Sequence, residues 1–195
     1  VRRRNATMKA KASALAAGAI GLPKKKDGDK VYRGIASQFF VAGELCRRGY
    51  SAAVTMGNTP DVDILCSNRG ATKFVHIQVK TFVPGNKSCP VGKKAEETYD
   101  TTFFWVLAGI PPPESKDPFI YYIIPAAVMA SHVAPDYADW LKTPGKRGQK
   151  RNDNKVRRVR LPHEDDHWDE WLSDFKDEKG WELIDKALGK GCRAP

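Results

Sequence analysis

Between Pro60 and Phe82 the chain reads PDVDILCSNRGATKFVHIQVKTF, and four of its polar residues stand where apolar ones would be cheaper. Asp61 and Asp63 precede the apolar run at residues 64–66, and Gln78 and Lys80 interrupt a run otherwise fit for burial. Polar groups in strands this apolar cost free energy unless something is done with them. Side chains alternate along a strand, so Gln78 and Lys80 share one face with Phe74 and His76. Val75, Ile77, Val79 and Thr81 share the other, which is the core face. Asp61 and Asp63 likewise fall on one face of the preceding strand. A hairpin that sets Asp63 opposite or diagonal to Gln78 brings carboxylate, amide and ammonium within reach of one another. A carboxylate and an amide oxygen suit a hard divalent cation, Mg²⁺ or Mn²⁺, that keeps several of its waters. A lysine beside it can orient or deprotonate a water and stabilise negative charge developing on a phosphate. That is the chemistry of metal-assisted phosphodiester hydrolysis. The plainer reading is a cross-strand Asp–Lys ion pair with an aspartate that satisfies a turn. Spacing alone leaves both open.

Elements must position these groups. In YRGIASQFFVAGELCRRGY, residues Ile35, Phe39, Ala42, Leu45 and Cys46 recur at helical spacing, and Gly49 stops the helix. SAAVTM reads as a short strand and GNTP as a turn. VDILCS and TKFVHIQVKTF form a hairpin across NRGA, a turn with its glycine in place. Residues 83–98 read as loop. TTFFWVLAGI and FIYYIIP are strands, and the unbroken apolar run of the latter implies burial on both faces, hence a central position. AAVMASHVAPDYADWLK begins as a helix, KVRRVRLP is a short strand, and EDDHWDEWLSDF and WELIDKAL are closing helices. Helix, strands, then outer helices make an α/β domain with a central mixed β-sheet flanked by helices.

The 195 residues carry a net charge of +10, unevenly placed. Residues 1–33 hold ten Lys or Arg against Asp27 and Asp29, and Lys142 to Arg160 hold nine against Asp153. The remainder is net negative. Two basic blocks around a near-neutral body suit a polyanion such as DNA, because clustered cations release counterions from phosphates. The alternative is solvated tails. Residues 1–30 read as a basic, flexible extension, within which MKAKASALAAGAIGL is a lead-in rather than a secretory signal. Residues 31–195 read as one domain with a basic loop around 142–160. No run is long and apolar enough to span a bilayer, so no membrane partner is expected. The four cysteines have neither disulfide nor zinc spacing, and Cys46 and Cys66 lie in apolar segments as small hydrophobes. A reduced, cytoplasmic protein is expected.

Three lesser candidates follow. HEDDH places His163 and His167 at zinc-binding spacing, but acids in a helix's first turn also complement its dipole. His76 shares the Gln78 face as a phosphate contact, a base or a structural histidine. Trp105, Tyr121 and Tyr122 sit in apolar strands and read as core.

The ordered set SQFFVAGELCRRGY, GNTPDVDIL and IQVKT resembles the PD-(D/E)XK nuclease superfamily, in its Q-x-K variant found in a mostly uncharacterised bacterial group. The resemblance covers about residues 33–125. It implies a restriction-endonuclease-like core and a Mg²⁺- or Mn²⁺-dependent endonuclease acting on DNA. It also implies Asp63 as metal ligand, Gln78 as a ligand in place of the usual acid, and Lys80 as the matching lysine. The helix position that assists the metal falls on Gln38, with Glu44 as the alternative and a solvated helix face as its plainer role. Lys146, Arg147, Lys150, Arg151, Arg157 and Arg158 would hold the phosphate backbone. Double-strand cleavage needs two sites, which a homodimer would supply. Gln38 and Gln78 are amides where the family usually has carboxylates, so a nucleic-acid-binding module that keeps the fold without catalysis stands as the alternative.

Overall fold

The computed structural model describes residues 25–56, 62–163 and 170–190, with backbone alone for 25–29. The chain divides into two units, Val1–Tyr32 and Arg33–Pro195. Of the first unit, residues 25–32 are described and are helical. The expected flexible extension therefore lies largely outside the described residues, and from Lys25 onward the chain is helix α1 (Lys25–Arg47).

Helix α1 ends as its sequence dictates. Gly49 takes φ 87°, Tyr50 N–H donates to Leu45 C=O at 3.1 Å, and Gly49 N–H donates to Cys46 C=O at 2.9 Å. These are the paired bonds of a Schellman cap, which needs a left-handed residue at that point. The buried stripe differs from expectation. Ser37, Val41 and Leu45 are fully buried, whereas Ile35, Phe39 and Cys46 are exposed. A residue two places along lies about 200° around the helix, so a face built on Ser37, Val41 and Leu45 turns Phe39 outward. The polar Ser37 hides this face from a count of apolar residues.

Strands β1 (Ser51–Val54), β2 (Ile64–Ser67), β3 (Phe74–Phe82), β5 (Phe103–Gly109) and β6 (Ile120–Pro125) form one sheet, ordered β1-β2-β3-β5-β6. All neighbours are antiparallel except β3 and β5, which run parallel. The turn between β2 and β3 hangs on Asn68, whose Oδ1 accepts from Thr72 N–H at 2.9 Å, and the positive φ falls on Ala71 rather than Gly70. Within the stretch expected to be loop, β4 (Ser88–Pro90) pairs with β7 (Arg158–Arg160) as a separate two-stranded ribbon. Helices α2 (Ala126–Lys142) and α3 (Asp177–Ala187) complete the layers. Residues 170–175, expected as α-helix, form a 3₁₀ helix, and residues 164–169 lie outside the described residues.

Both sheet faces are covered. Val41 and Leu45 of α1 and Trp181, Ile184 and Leu188 pack with Ile64, Ile77, Val106 and Ile123 on one side. Met129 and Val133 of α2, with Val159 and Leu172, pack with Trp105, Leu107 and Ile124 on the other. Every residue of β5 is buried, as a strand between two layers requires. The expectation that FIYYII is central is corrected: β6 is the last strand of the sheet. Its apolar run is covered because the chain seals the edge, with a bridge from Tyr122 to Lys176 and Tyr121 N–H donating to Asp177 Oδ1 at 2.9 Å. Trp105 and Tyr122 are core as expected, and Tyr121 is half-buried against Trp181.

Candidate active site

The β2–β3 register pairs Ile64 with Ile77, so Asp63 stands opposite Gln78 just where β2 begins. Its main chain still belongs to the sheet: Asp63 N–H donates to Ile77 C=O at 2.9 Å, and its C=O accepts from Thr55 N–H at 2.9 Å. Beyond this point β3 continues with no β2 residue beside it. The Asp63 carboxylate fills the gap and accepts from Val79 N–H at 2.7 Å. A buried backbone donor left bare there would cost about 1–3 kcal/mol, so the aspartate has one structural duty.

Two amides complete the cluster. Gln78 Nε2 donates to Asp63 Oδ2, the same oxygen that Val79 meets, and Gln38 Nε2 donates to Oδ1 at 3.0 Å. Gln38 comes from α1, whose neighbour Ser37 shares a 2.6 Å hydroxyl–hydroxyl bond with Thr81 of β3. That bond ties helix to strand beside the cluster. Glu44 is occupied elsewhere: it pairs with Arg47 and Arg48 at 2.7 Å each and does not meet Asp63. Asp63 is half-buried. Burial pushes its carboxyl above the ordinary aspartate value, while the Val79 N–H and the charge of Lys80 pull the other way. Lys80 lies two residues along β3 on the Gln78 face, with Nζ 5.9 Å from the Trp105 ring centre. Trp105 is paired with Gln78 in the β3–β5 register, and its buried Nε1 has no hydrogen-bond partner among the described residues.

The structure thus brings together Gln38, Asp63 and Gln78, with Lys80 on the same face. Asp61 and most of HEDDH lie outside the described residues; His163 and His76 are half-buried. Cys66 and Cys89 are buried thiols pushed up to about 12 by burial, so neither is poised as a nucleophile. The expected burial of Cys46 is corrected: it is exposed.

The expected phosphate contacts divide. Lys146, Arg147 and Lys150 are exposed in the turn after α2. Arg158 is exposed on β7 and donates to Ser88 Oγ at 3.2 Å. Arg151 lies 4.5 Å over the Trp140 ring and donates to the Trp140 and Pro144 carbonyls. Arg157 is a correction. It is 3% exposed, its guanidinium pairs with Glu96 at 2.5 and 3.1 Å and with Asp153 at 3.3 Å, and it sits 3.2 Å over Tyr137. A guanidinium so committed holds the loop to the body instead of facing solvent. Tyr137 in turn stacks on Trp140, so Arg157, Tyr137, Trp140 and Arg151 clip the basic segment onto α2. Sequence reasoning also missed Arg160 and Lys87, which line a groove beside Arg158. The alternation of Arg158 and Arg160 around the buried Val159 was the available signal.

Fold and site together define a mixed α/β domain whose central sheet presents an amide-flanked aspartate and a lysine at the fork between two strands. Comparison with protein-family models finds no match, and comparison with curated proteins finds none. Among solved structures the chain is similar to a bacterial homing endonuclease, I-Ssp6803I, at 13% identity over 87% of this chain and 95% of that one, with a TM-score of 0.47. It is also similar to Hjc, a Holliday junction resolvase from the archaeal hyperthermophile Archaeoglobus fulgidus, at 14% identity over 77% and 95% of the two chains, with a TM-score of 0.42. Both are likenesses of fold.

Proposed function

We propose that the protein is a divalent-metal-dependent endonuclease that hydrolyses phosphodiester bonds in DNA, a member of the PD-(D/E)XK group that its motifs resemble. The observation that carries this reading is the Asp63 carboxylate held at the β2–β3 fork between Gln38 and Gln78, with Lys80 on the same face. The donor set fits Mg²⁺ or Mn²⁺ of the kind that keeps most of its waters, because one carboxylate and two amide oxygens are too few for a closed cage. Asp63 would hold the ion, and Gln78 and Gln38 would turn their amides to offer oxygen in place of N–H. The bound ion supplies charge neutralisation on the phosphate and a more acidic water. Lys80 would orient the attacking water and balance the charge that develops on the phosphate. Lys146, Arg147, Lys150 and Arg158, all exposed, would hold the backbone without reading sequence. Double-strand cutting would call for two copies of the chain, and a reducing, cytoplasmic setting belongs to the same proposal. No helix among the described residues is long and apolar enough to cross a membrane.

The test is cleavage of plasmid, branched and single-stranded DNA with Mg²⁺ or Mn²⁺. Activity in the native chain that is lost in Asp63→Ala and in Lys80→Ala, with DNA binding retained, supports the enzyme. One observation favours a binding module instead: the side chains that meet Asp63 are the amides of Gln38 and Gln78, which bring no charge to a metal. On that reading no substrate is cut and calorimetry finds no metal uptake.

A further inference from the structure

The β4–β7 ribbon and the outer end of α2 enclose a groove of about 550 Å³ that the nuclease chemistry does not use. Its apolar wall is Val133, Tyr137, Trp140 and Val156, of which Trp140 is 39% and Val156 46% exposed. Among the described residues its polar rim carries Lys87, Arg158 and Arg160 with one carboxylate, Asp136, which stands 3.8 Å from Arg160. The strand geometry accounts for the rim. Val159 points into the core, so Arg158 and Arg160 both point out, about 6.6 Å apart along the strand.

We propose that this groove holds an unpaired nucleotide of the nucleic-acid strand whose backbone the Lys80 site attacks, the base against Trp140 and Val156 and the flanking phosphates on Arg158 and Arg160. The proposal rests on the nuclease reading for its substrate and adds that the substrate is single-stranded or branched at this point. Three features support it. A concave space of several hundred cubic ångströms admits a ligand the size of a mononucleotide. An apolar wall beside clustered cations matches a base joined to phosphates, which is how proteins grip single strands. The ribbon also adjoins the strand that carries Lys80: Cys89 of β4 and Val159 of β7 pack in one apolar cluster with Phe82 of β3. An acidic peptide would satisfy the cations and leave the wall empty.

The test is equilibrium binding of labelled single-stranded DNA and of a blunt duplex, over a range of salt, to the full chain and to Trp140→Ala, Val156→Ser and Arg158→Gln/Arg160→Gln. Val156 and Arg160 are exposed, so those variants report even where Trp140→Ala unfolds the clip. The expected result is a loss of single-strand affinity in both wall variants, at least about fivefold in Trp140→Ala, the low end for a base against an aromatic ring, with duplex affinity unchanged in Val156→Ser. The salt slope should fall by about 0.7 for each arginine removed. Unchanged single-strand affinity in Val156→Ser together with an unchanged slope in the double arginine variant overturns the groove, as does an oligo-Asp/Glu peptide that binds as tightly as the oligonucleotide. Failure of the nuclease reading looks different: no cleavage by the native chain, while the groove variants still lose single-strand binding.

Discussion

Changing Gln78 to glutamate alters one atom at the centre of the site and separates a metal site from a plain hydrogen-bond cluster. In the native chain the Gln78 amide donates to Asp63 Oδ2, which also accepts from Val79 N–H. Glutamate keeps the length and replaces that donor with a second anionic oxygen in a half-buried place. The penalty has a ceiling, because the pair can escape repulsion by taking up a proton. Holding a glutamic acid of ordinary pKa protonated at pH 7 costs about 3.7 kcal/mol, and the protonated form donates to Asp63 as the amide did. The loss without metal is therefore about 2–4 kcal/mol at pH 7, and it shrinks as the pH falls. A divalent ion reverses it, since two carboxylates in contact are a better ligand pair than a carboxylate and an amide. At a metal concentration a hundredfold above the dissociation constant the gain is about 2.7 kcal/mol. Urea unfolding followed by circular dichroism, with EDTA and with magnesium, reads both signs. The variant should be weaker than the native chain in EDTA and should recover more than the native chain gains when magnesium is added. Identical midpoints with and without magnesium would refute the metal site. An undiminished midpoint in EDTA would refute the contact itself.

Asp63→Asn should abolish cleavage, yet its stability relative to the native chain should rise with pH. The folded carboxyl is raised above its unfolded value, so what it contributes is complete in acid and is lost as pH climbs through the raised value; asparagine removes that loss, and urea midpoints from pH 3 to 7 measure the trend. Arg157→Met should cost about 3–5 kcal/mol by stranding Glu96 and loosening the loop, whereas Arg158→Met should stay within about 0.5 kcal/mol and weaken DNA binding instead. Equal stability of the two variants would undo the distinction drawn between them. Gly180→Ala should cost about 1–3 kcal/mol by urea unfolding, because the new methyl meets the Phe175 carbonyl and comes within 3.0 Å of Ile123. Magnesium affinity measured by calorimetry should rise when a non-cleavable DNA is present, and DNA affinity should rise with magnesium by the same factor.

What could be read from the sequence follows from how local each feature is. The pairing of Asp63 with Gln78 needed only strand alternation and a short hairpin, and the register supplies it directly. The Gly49 stop was local as well. The buried face of α1 was not, because Ser37 is buried by what it bonds across the fold, Thr81, and nothing in its own type announces that. The edge position of β6 was hidden for a related reason: the Phe175–Asp177 segment that covers it comes about fifty residues later. Arg157 was the hardest. In a run of nine cations only the tertiary placement of Glu96 and Tyr137 marks one of them as buried.

The amides bear on how such a site could work at all. Three carboxylates around a half-buried fork would repel one another until a metal arrived, and the fold would carry that cost in every metal-free molecule. Here a single carboxylate is met by two amide donors and a backbone N–H, so the cluster is satisfied before any ion binds. The same bonds oppose the ion, because an Asp63 oxygen that takes up a cation competes with the amide N–H it already accepts from. A hard cation that gains only one charged ligand from the protein draws its remaining ligands from water and from the substrate's phosphates. On the proposed reading metal and nucleic acid would then bind as one event, to which the exposed cations of the β4–β7 ribbon would add phosphate contacts.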